Sequence, residues 1–378
     1  MAIGSGGVYE ELGVRPIINA QGNRTVIGGS SISRSIADAR DEANEHYVPM
    51  EELLEKAGEY MAGVLGVEAA YVTSGCCAAL ALSAAACLAG NDTDRMAQLP
   101  DASGMPNEII IQQAQRYSYD RCYTVSGARM LAVGDGDGCN ADQIEAAIGP
   151  NTAAVAYLIR SDVEDGCVSL EDLVDIAHRH GLPVIADAAA QLYPLDYLMR
   201  NAQSADLVCF GGKYMGAPHS TGFMCGRKDL IQSAVDQGFI GFQTGRGEAI
   251  GRPMKVDRQD VVALVAALKA WVTMNHEDRL LQYDARLSVV QRALRGIAGV
   301  EAKIVHNQSY YGLSLEVDLE IASLGKTAHQ VARQLDEGEP RIWVLTDDST
   351  DAFKVNAHTL NEGEEQIVAD RLGEVLRG

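Results

Sequence analysis

A chain of 378 residues is too long for one simple core and implies two domains. Its formal charge of −21 argues against nucleic acid, whose backbone needs clustered Lys and Arg, and against an anionic membrane surface. No apolar run reaches the roughly 18 residues of a membrane span, and "MAIGSGGVYEELG" lacks the basic-then-apolar order of a signal peptide, so a cytoplasmic protein is expected.

The chain opens on "VRPIINAQGNRTVIGGSSIS" (14–33), strand-like residues broken by glycines, which reads as an irregular arm. "RSIADARDEANEHYVPMEELLEKAGEYMAGVLG" is helical with a break at Pro49. Strands and helices then alternate. "AAYVTSG" (69–75), "EIIIQQ" (108–113), "ARMLAVG" (128–134), "AAVAYLI" (153–159), "LPVIADAAA" (182–190) and "ADLVCFGG" (205–212) read as strands. "CCAALALSAAACLAG" (76–90), "ADQIEAAIG" (141–149) and "SLEDLVDIAHRHG" (169–181) read as helices, the last with a Ser cap and a Gly stop. This alternation predicts an α/β fold with a mostly parallel sheet, whose ligands sit at the strands' C-terminal ends. Helical spacing from about Arg258 to Arg295 carries the chain into a smaller α+β tail. The tail has strands at 311–319 and 341–346 and helices near 327–337 and 362–376. The expected division is an arm and helix (1–48), a large α/β domain (49–257), linking helices (258–295) and a small C-terminal domain (296–378).

Eight cysteines contain no C-x-x-C pair and several lie in apolar runs, so they read as reduced core residues, with no metal site. "GDGDGCN" (134–140) fails the calcium-loop pattern and reads as a turn.

Three strand ends carry chemistry. Ser74, Gly75 and Cys76 join a strand to a helix start, where free N–H groups suit a phosphate. Asp187 ends a buried strand, and a carboxylate there needs a partner. Lys213 follows Gly211 and Gly212 in an apolar setting, where partial burial makes an amine nucleophilic and fit for a Schiff base. A phosphate cradle, a carboxylate and a lysine 26 residues later form the set that pyridoxal phosphate requires.

With these pieces, "YVTSGCCAALALSAAACLAG", "HGLPVIADAAAQ", "GGK", "STGFMCGRKDLI", "IGRPMKVDRQDVVALVAAL" and "VNAHTLNEGEEQIVADRL", the sequence resembles fold-type I pyridoxal phosphate enzymes of the aspartate aminotransferase-like fold. Within them it is similar to the group of selenocysteine synthase and D-glucosaminate-6-phosphate ammonia-lyase. The resemblance implies that Lys213 carries the cofactor, that Asp187 pairs with its pyridine nitrogen, and that Ser74, Gly75, Cys76 and Gly212 lie around it. It implies that Arg252 and Lys255 face an anionic part of the substrate. Relatives often place a stacking His where this chain has Gln115, so the amide of Gln115, or Tyr117 or Tyr119, is expected over the ring. The Ser that commonly precedes "GGK" is also missing. Arg24, His46, Tyr47, His219 and Arg341 are further candidates for the substrate pocket.

The resemblance also implies a homodimer or higher homo-oligomer, with Thr244 and Arg246 of "GFQTGRGEAIG" reaching across the interface. The expected activity is a lyase on a small amino acid or amino-sugar acid, by α-proton abstraction and β-elimination. A racemase or an aldolase would use the same start, and a cofactor-binding regulator is the non-enzyme alternative.

Overall fold

A computed structural model describes residues 7–160, 166–245, 248–306, 310–347 and 349–378. The chain forms two compact units, Ser30–Thr273 and a smaller one built from the residues up to Gly29 together with Met274–Gly378. This division differs from the expected boundaries at 48, 257 and 295. The reason is local. Helix Arg34–Glu45 packs on helix Arg258–Thr273, with Arg40 paired to Asp260 at 2.9 Å, so both belong to the larger unit. The helical run then breaks at Asn275, whose side chain accepts the N–H groups of Glu277 and Asp278 and starts a second helix, His276–Leu294.

The strands in chain order are β1 (Ile17–Asn19), β2 (Ala69–Thr73), β3 (Glu108–Gln112), β4 (Arg129–Val133), β5 (Thr152–Leu158), β6 (Val184–Asp187), β7 (Leu207–Gly211) and β8 (Gly222–Gly226). There follow β9 (Val300–His306), β10 (Leu313–Leu319), β11 (Arg341–Trp343), β12 (Leu345–Thr346) and β13 (Ala352–Val355). The larger unit holds a seven-stranded sheet in the order β2-β8-β7-β6-β5-β3-β4. Its pairs are parallel except those of β8, which runs antiparallel to β2 and to β7. Strands β5 to β8 are buried at every position, which is why they read as unbroken apolar runs rather than alternating ones. Helix Cys76–Ala89 is buried on nearly every side, and its small alanines let it lie close to the sheet.

Strand β8 reads in the sequence only as an apolar stretch after the lysine. Two glycines account for its course. Gly216, at φ +81°, ends the turn after β7 and sends the chain back. Gly222 passes so near the β2 turn that a Cβ there would lie 2.5 Å from the carbonyl carbon of Gly75.

In the smaller unit β12-β13-β10-β9 form an antiparallel sheet and β1 pairs in parallel with β11. Leu315, Val317, Phe353 and Val355 meet Leu287, Val290, Val368 and Leu372 in its core. The expected strand over 341–346 is two strands: β11 joins β1, and β12 joins β13, with buried Val344 at the switch.

Candidate active site

The C-terminal ends of β2, β6 and β7 lie along one edge of the large sheet. Thr73 and Gly211 both pair with Gly222, and Asp187 pairs with Cys209. The three expected pieces therefore meet within a few strand spacings of about 4.8 Å.

Asp187, the last residue of β6, is only 4% exposed. Its Oδ1 accepts the Ala189 N–H at 2.9 Å and the Cys76 thiol at 3.6 Å. Its Oδ2 accepts the Tyr117 hydroxyl. Burial pushes the carboxyl above its ordinary range, and the three donors act against that rise. All three are neutral, so an ionised Asp187 is best matched by a cationic N–H brought by a ligand.

Lys213 sits in the short turn Gly212–Met215, half-buried, with Nζ 4.9 Å from the centre of the Tyr214 ring. The glycines before it make room for protein. A Cβ on Gly212 would lie 2.3 Å from the Thr221 hydroxyl, and one on Gly211 would lie 3.0 Å from the Tyr214 ring.

Gly75, at φ +112°, begins helix Cys76–Ala89 with no side-chain cap, and the space where its Cβ would be is open for 4 Å. Uncapped N–H groups beside open space form an anion cradle. The Ser74 hydroxyl is turned elsewhere and donates to the Met254 carbonyl at 3.1 Å. That bond pins the turn Arg252–Met254 beside the cradle.

Residues 34–244 match the model of the aminotransferase class-V family. The chain belongs to the aminotransferase class-V family. It is 32% identical to a 5'-C-glycyluridine monooxygenase-decarboxylase of Streptomyces, over 97% of this chain and 92% of the relative. It is 31% identical to the D-glucosaminate-6-phosphate ammonia lyase of Salmonella typhimurium, over 97% of each. A solved D-glucosaminate-6-phosphate ammonia-lyase structure superposes with a TM-score of 0.84 at 29% identity, covering 99% of both chains. This class-V protein is a pyridoxal phosphate-dependent enzyme of fold type I. The buried Asp187 with neutral partners and the open, uncapped cradle at Gly75 fit the cofactor's pyridine nitrogen and phosphate.

Several of the expected site residues have partners of their own in this class-V chain. Gln115 is turned into the protein interior. It is 1% exposed, and its amide clamps Leu158, accepting the N–H at 3.3 Å and donating to the carbonyl at 3.4 Å. Of the two tyrosines, Tyr119 is exposed, while Tyr117 reaches Asp187. Fully buried Tyr123 backs Tyr117 within hydrogen-bonding reach. Neither Tyr123 nor the Cys76 thiol has a sequence signal, because both act through partners distant in the chain.

His219 follows the lysine turn. Its buried Nδ1 has no hydrogen-bond partner among the described residues, and burial, then the charge of Lys213, holds the ring below its ordinary pKa. Arg252 is half-buried and Lys255 exposed, and neither has an ion-pair partner among the described residues.

His46 lines an apolar groove of about 270 Å³ with Ala39, Val48 and Val262, not the Lys213–Asp187 site. Tyr47 is 91% exposed with the Arg258 guanidinium over its ring at 4.4 Å. The Thr244 hydroxyl donates to the Ile240 carbonyl of its own helix at 3.0 Å. Arg246 lies outside the described residues. In the smaller unit Arg24 is exposed. Arg341 is held there by Asp336 at 2.6 and 2.9 Å, which uses the fork expected for a substrate carboxylate.

Proposed function

We propose that this enzyme removes the α-proton of a small anionic amino acid or amino-sugar acid and expels a β-substituent. The released enamine takes up water and yields a 2-keto acid and ammonia. The observation that carries this reading is the convergence of buried Asp187, Lys213 and the uncapped Gly75–Cys76 helix start on one sheet edge. The full-length likeness to an ammonia lyase supports the reaction type.

When bound, pyridoxal phosphate supplies the electron sink for the α-carbanion. Each residue then has a defined task. Lys213 Nζ would hold the cofactor's aldehyde and, when free, would be the base for the α-proton. Asp187, held by Tyr117, Cys76 and the Ala189 N–H, would pair with the ring nitrogen. The N–H groups that follow Gly75 would hold the phosphate. Arg252 and Lys255, in the turn fastened by Ser74, attract the substrate's anionic part. His219, close enough to feel the charge of Lys213, orients the amine or the leaving group.

A homodimer in a reducing, cytoplasmic compartment completes the proposal. All eight cysteines are free, which suits that setting. No helix among the described residues is long and apolar enough to cross a membrane.

A second reading follows from the Streptomyces relative, whose name records oxygenation with decarboxylation. One substrate panel separates the two. The purified enzyme is incubated with amino acids and amino-sugar acids while ammonia, keto acid, CO₂ and dissolved oxygen are followed. Ammonia with keto acid and no oxygen uptake supports the lyase. Oxygen uptake with CO₂ release overturns it. Proton exchange with inversion alone would make it a racemase, and glycine release an aldolase.

A further inference from the structure

A groove of about 380 Å³ lies wholly within the larger unit, between helix Met50–Leu65, the edge strand β2 and helix Lys228–Gln237. It has the size of a small-ligand site and takes no part in the proposed reaction. Leu54, Ile231, Val235 and Ile240 give it an apolar bed. Gly58 lets the first helix close on β2, since a Cβ there would lie 2.3 Å from the Ala70 carbonyl oxygen.

Two kinds of polar group face this bed. One is the phenol of Tyr71, which lines the groove while only 2% exposed. Its hydroxyl lies against Gly238, where a Cβ would come within 2.4 Å, and makes no hydrogen bond among the described residues. Burial is the sole cause that pushes its pKa up. A buried hydroxyl without a partner is costly, so one that lines a groove points to a ligand that completes it. The other kind is a row of exposed carboxylates. Glu51, Glu55 and Glu59 line the groove from successive turns of helix Met50–Leu65, about 6 Å apart along its axis.

We propose that this groove binds an aliphatic polyamine, a flexible chain of methylenes that carries several ammonium groups. The methylenes lie on the apolar bed, the ammonium groups meet the glutamate row, and one of them donates to the Tyr71 hydroxyl. An inorganic cation would answer the carboxylates but not the bed, and a neutral aliphatic chain would do the reverse. The inference is independent of which substrate or bond the enzyme acts on.

The neighbouring charges set the direction in which the chain lies. Lys228 stands at one end, where Glu68 already accepts its backbone N–H at 3.0 Å, so the ammonium groups gather towards Glu51 and Glu55. Glu59 is paired with Lys56 at 2.7 Å, but both are exposed, and a pair of that kind yields to a competing ammonium at small cost. The formal charge of −21 also raises the concentration of cations around the whole chain.

Holoenzyme is titrated with spermidine in a calorimeter at near-physiological salt. Saturable binding at one site per chain is expected. Tyr71→Phe should weaken it about tenfold, the loss of one hydrogen bond to a charged donor. Without spermidine the same variant should melt at or above the wild-type temperature, because its hydroxyl has no partner to lose. Glu51→Gln with Glu55→Gln should weaken binding about fivefold. Glu171→Gln with Asp175→Asn, which removes two exposed carboxylates one turn apart on helix Leu170–Arg179, should leave it unchanged. Four results would overturn the proposal. They are no saturable binding, Tyr71→Phe binding like the wild type, magnesium displacing spermidine at equal charge, which would make it a counterion effect, or Glu55→Cys crosslinking two subunits, which would put a second copy in the groove.

Discussion

The hydroxyl of Tyr117 donates to Oδ2 of Asp187, across 70 residues of sequence. This bond, with the Cys76 thiol and the Ala189 N–H on Oδ1, works against the rise that burial imposes on the carboxyl, and all three donors are neutral. Removing the phenol with Tyr117→Phe takes away one charge-assisted bond worth about 1.5–3 kcal/mol. The substitution should weaken cofactor retention about tenfold or more, measured by equilibrium dialysis. Unchanged retention would mean that the phenol does not support Asp187 once the cofactor is bound.

Asp187→Asn separates stability from function. A carboxyl raised above its unfolded value binds its proton more readily in the folded chain. The cofactor-free protein therefore loses stability as pH rises from about 3.9 through the folded value. Asparagine has no such charge. Cofactor-free Asp187→Asn should melt at or above the wild-type temperature at pH 7, while activity falls on the order of 10²-fold or more. A lower melting temperature would contradict the burial account.

Lys213→Ala should cost about 10²–10⁴-fold in turnover, the usual worth of a positioned acid or base. Borohydride reduction of the wild type should leave the cofactor mass on the peptide containing Lys213. Finding it on any other lysine sinks the assignment.

Gly222→Ala should act on the cradle from behind. The added methyl meets the backbone of Gly75 at 2.5 Å and of Cys76 at 2.6 Å, which side-chain rotation cannot relieve. A loss of about 1–3 kcal/mol in stability is expected, together with weaker phosphate binding. Thermal melts with and without added pyridoxal phosphate read both. An alanine variant with wild-type melting and cofactor affinity would show that β8 can shift.

His219 should set the acidic limb of the pH profile. Burial and then Lys213 hold it below its ordinary value near 6.5, so it is neutral at pH 7 and gains charge only in more acid solution. Activity carried by the neutral ring falls as pH drops through that lowered value. His219→Gln should remove one titration from the kcat/KM profile below about pH 6.5. A profile identical to wild type would exclude the ring from the reaction.

Much of this was legible in one dimension. Asp187 and Lys213 stand out because a charged residue ending an apolar run has few purposes. The helix starting at Cys76 was visible because glycine punctuates a strand and an alanine-rich run. The role of Gln115 was not, because a glutamine beside a strand has the same local signature whether it faces a ligand or clamps Leu158. The ion pair of Arg341 was hidden for the same reason, since its partner Asp336 precedes it in a helix and meets it only by folding back.

Periodicity and punctuation are properties of a few neighbouring residues, so the sequence by itself determined the alternating strands and helices and the residues that end them. Only the tertiary structure decided that β8 would run backwards between β2 and β7, and that Ser74 would fasten a turn 180 residues away. It likewise brought Tyr117 to Asp187. Such pairings depend on packing whole elements against each other, and no window of local sequence carries that information.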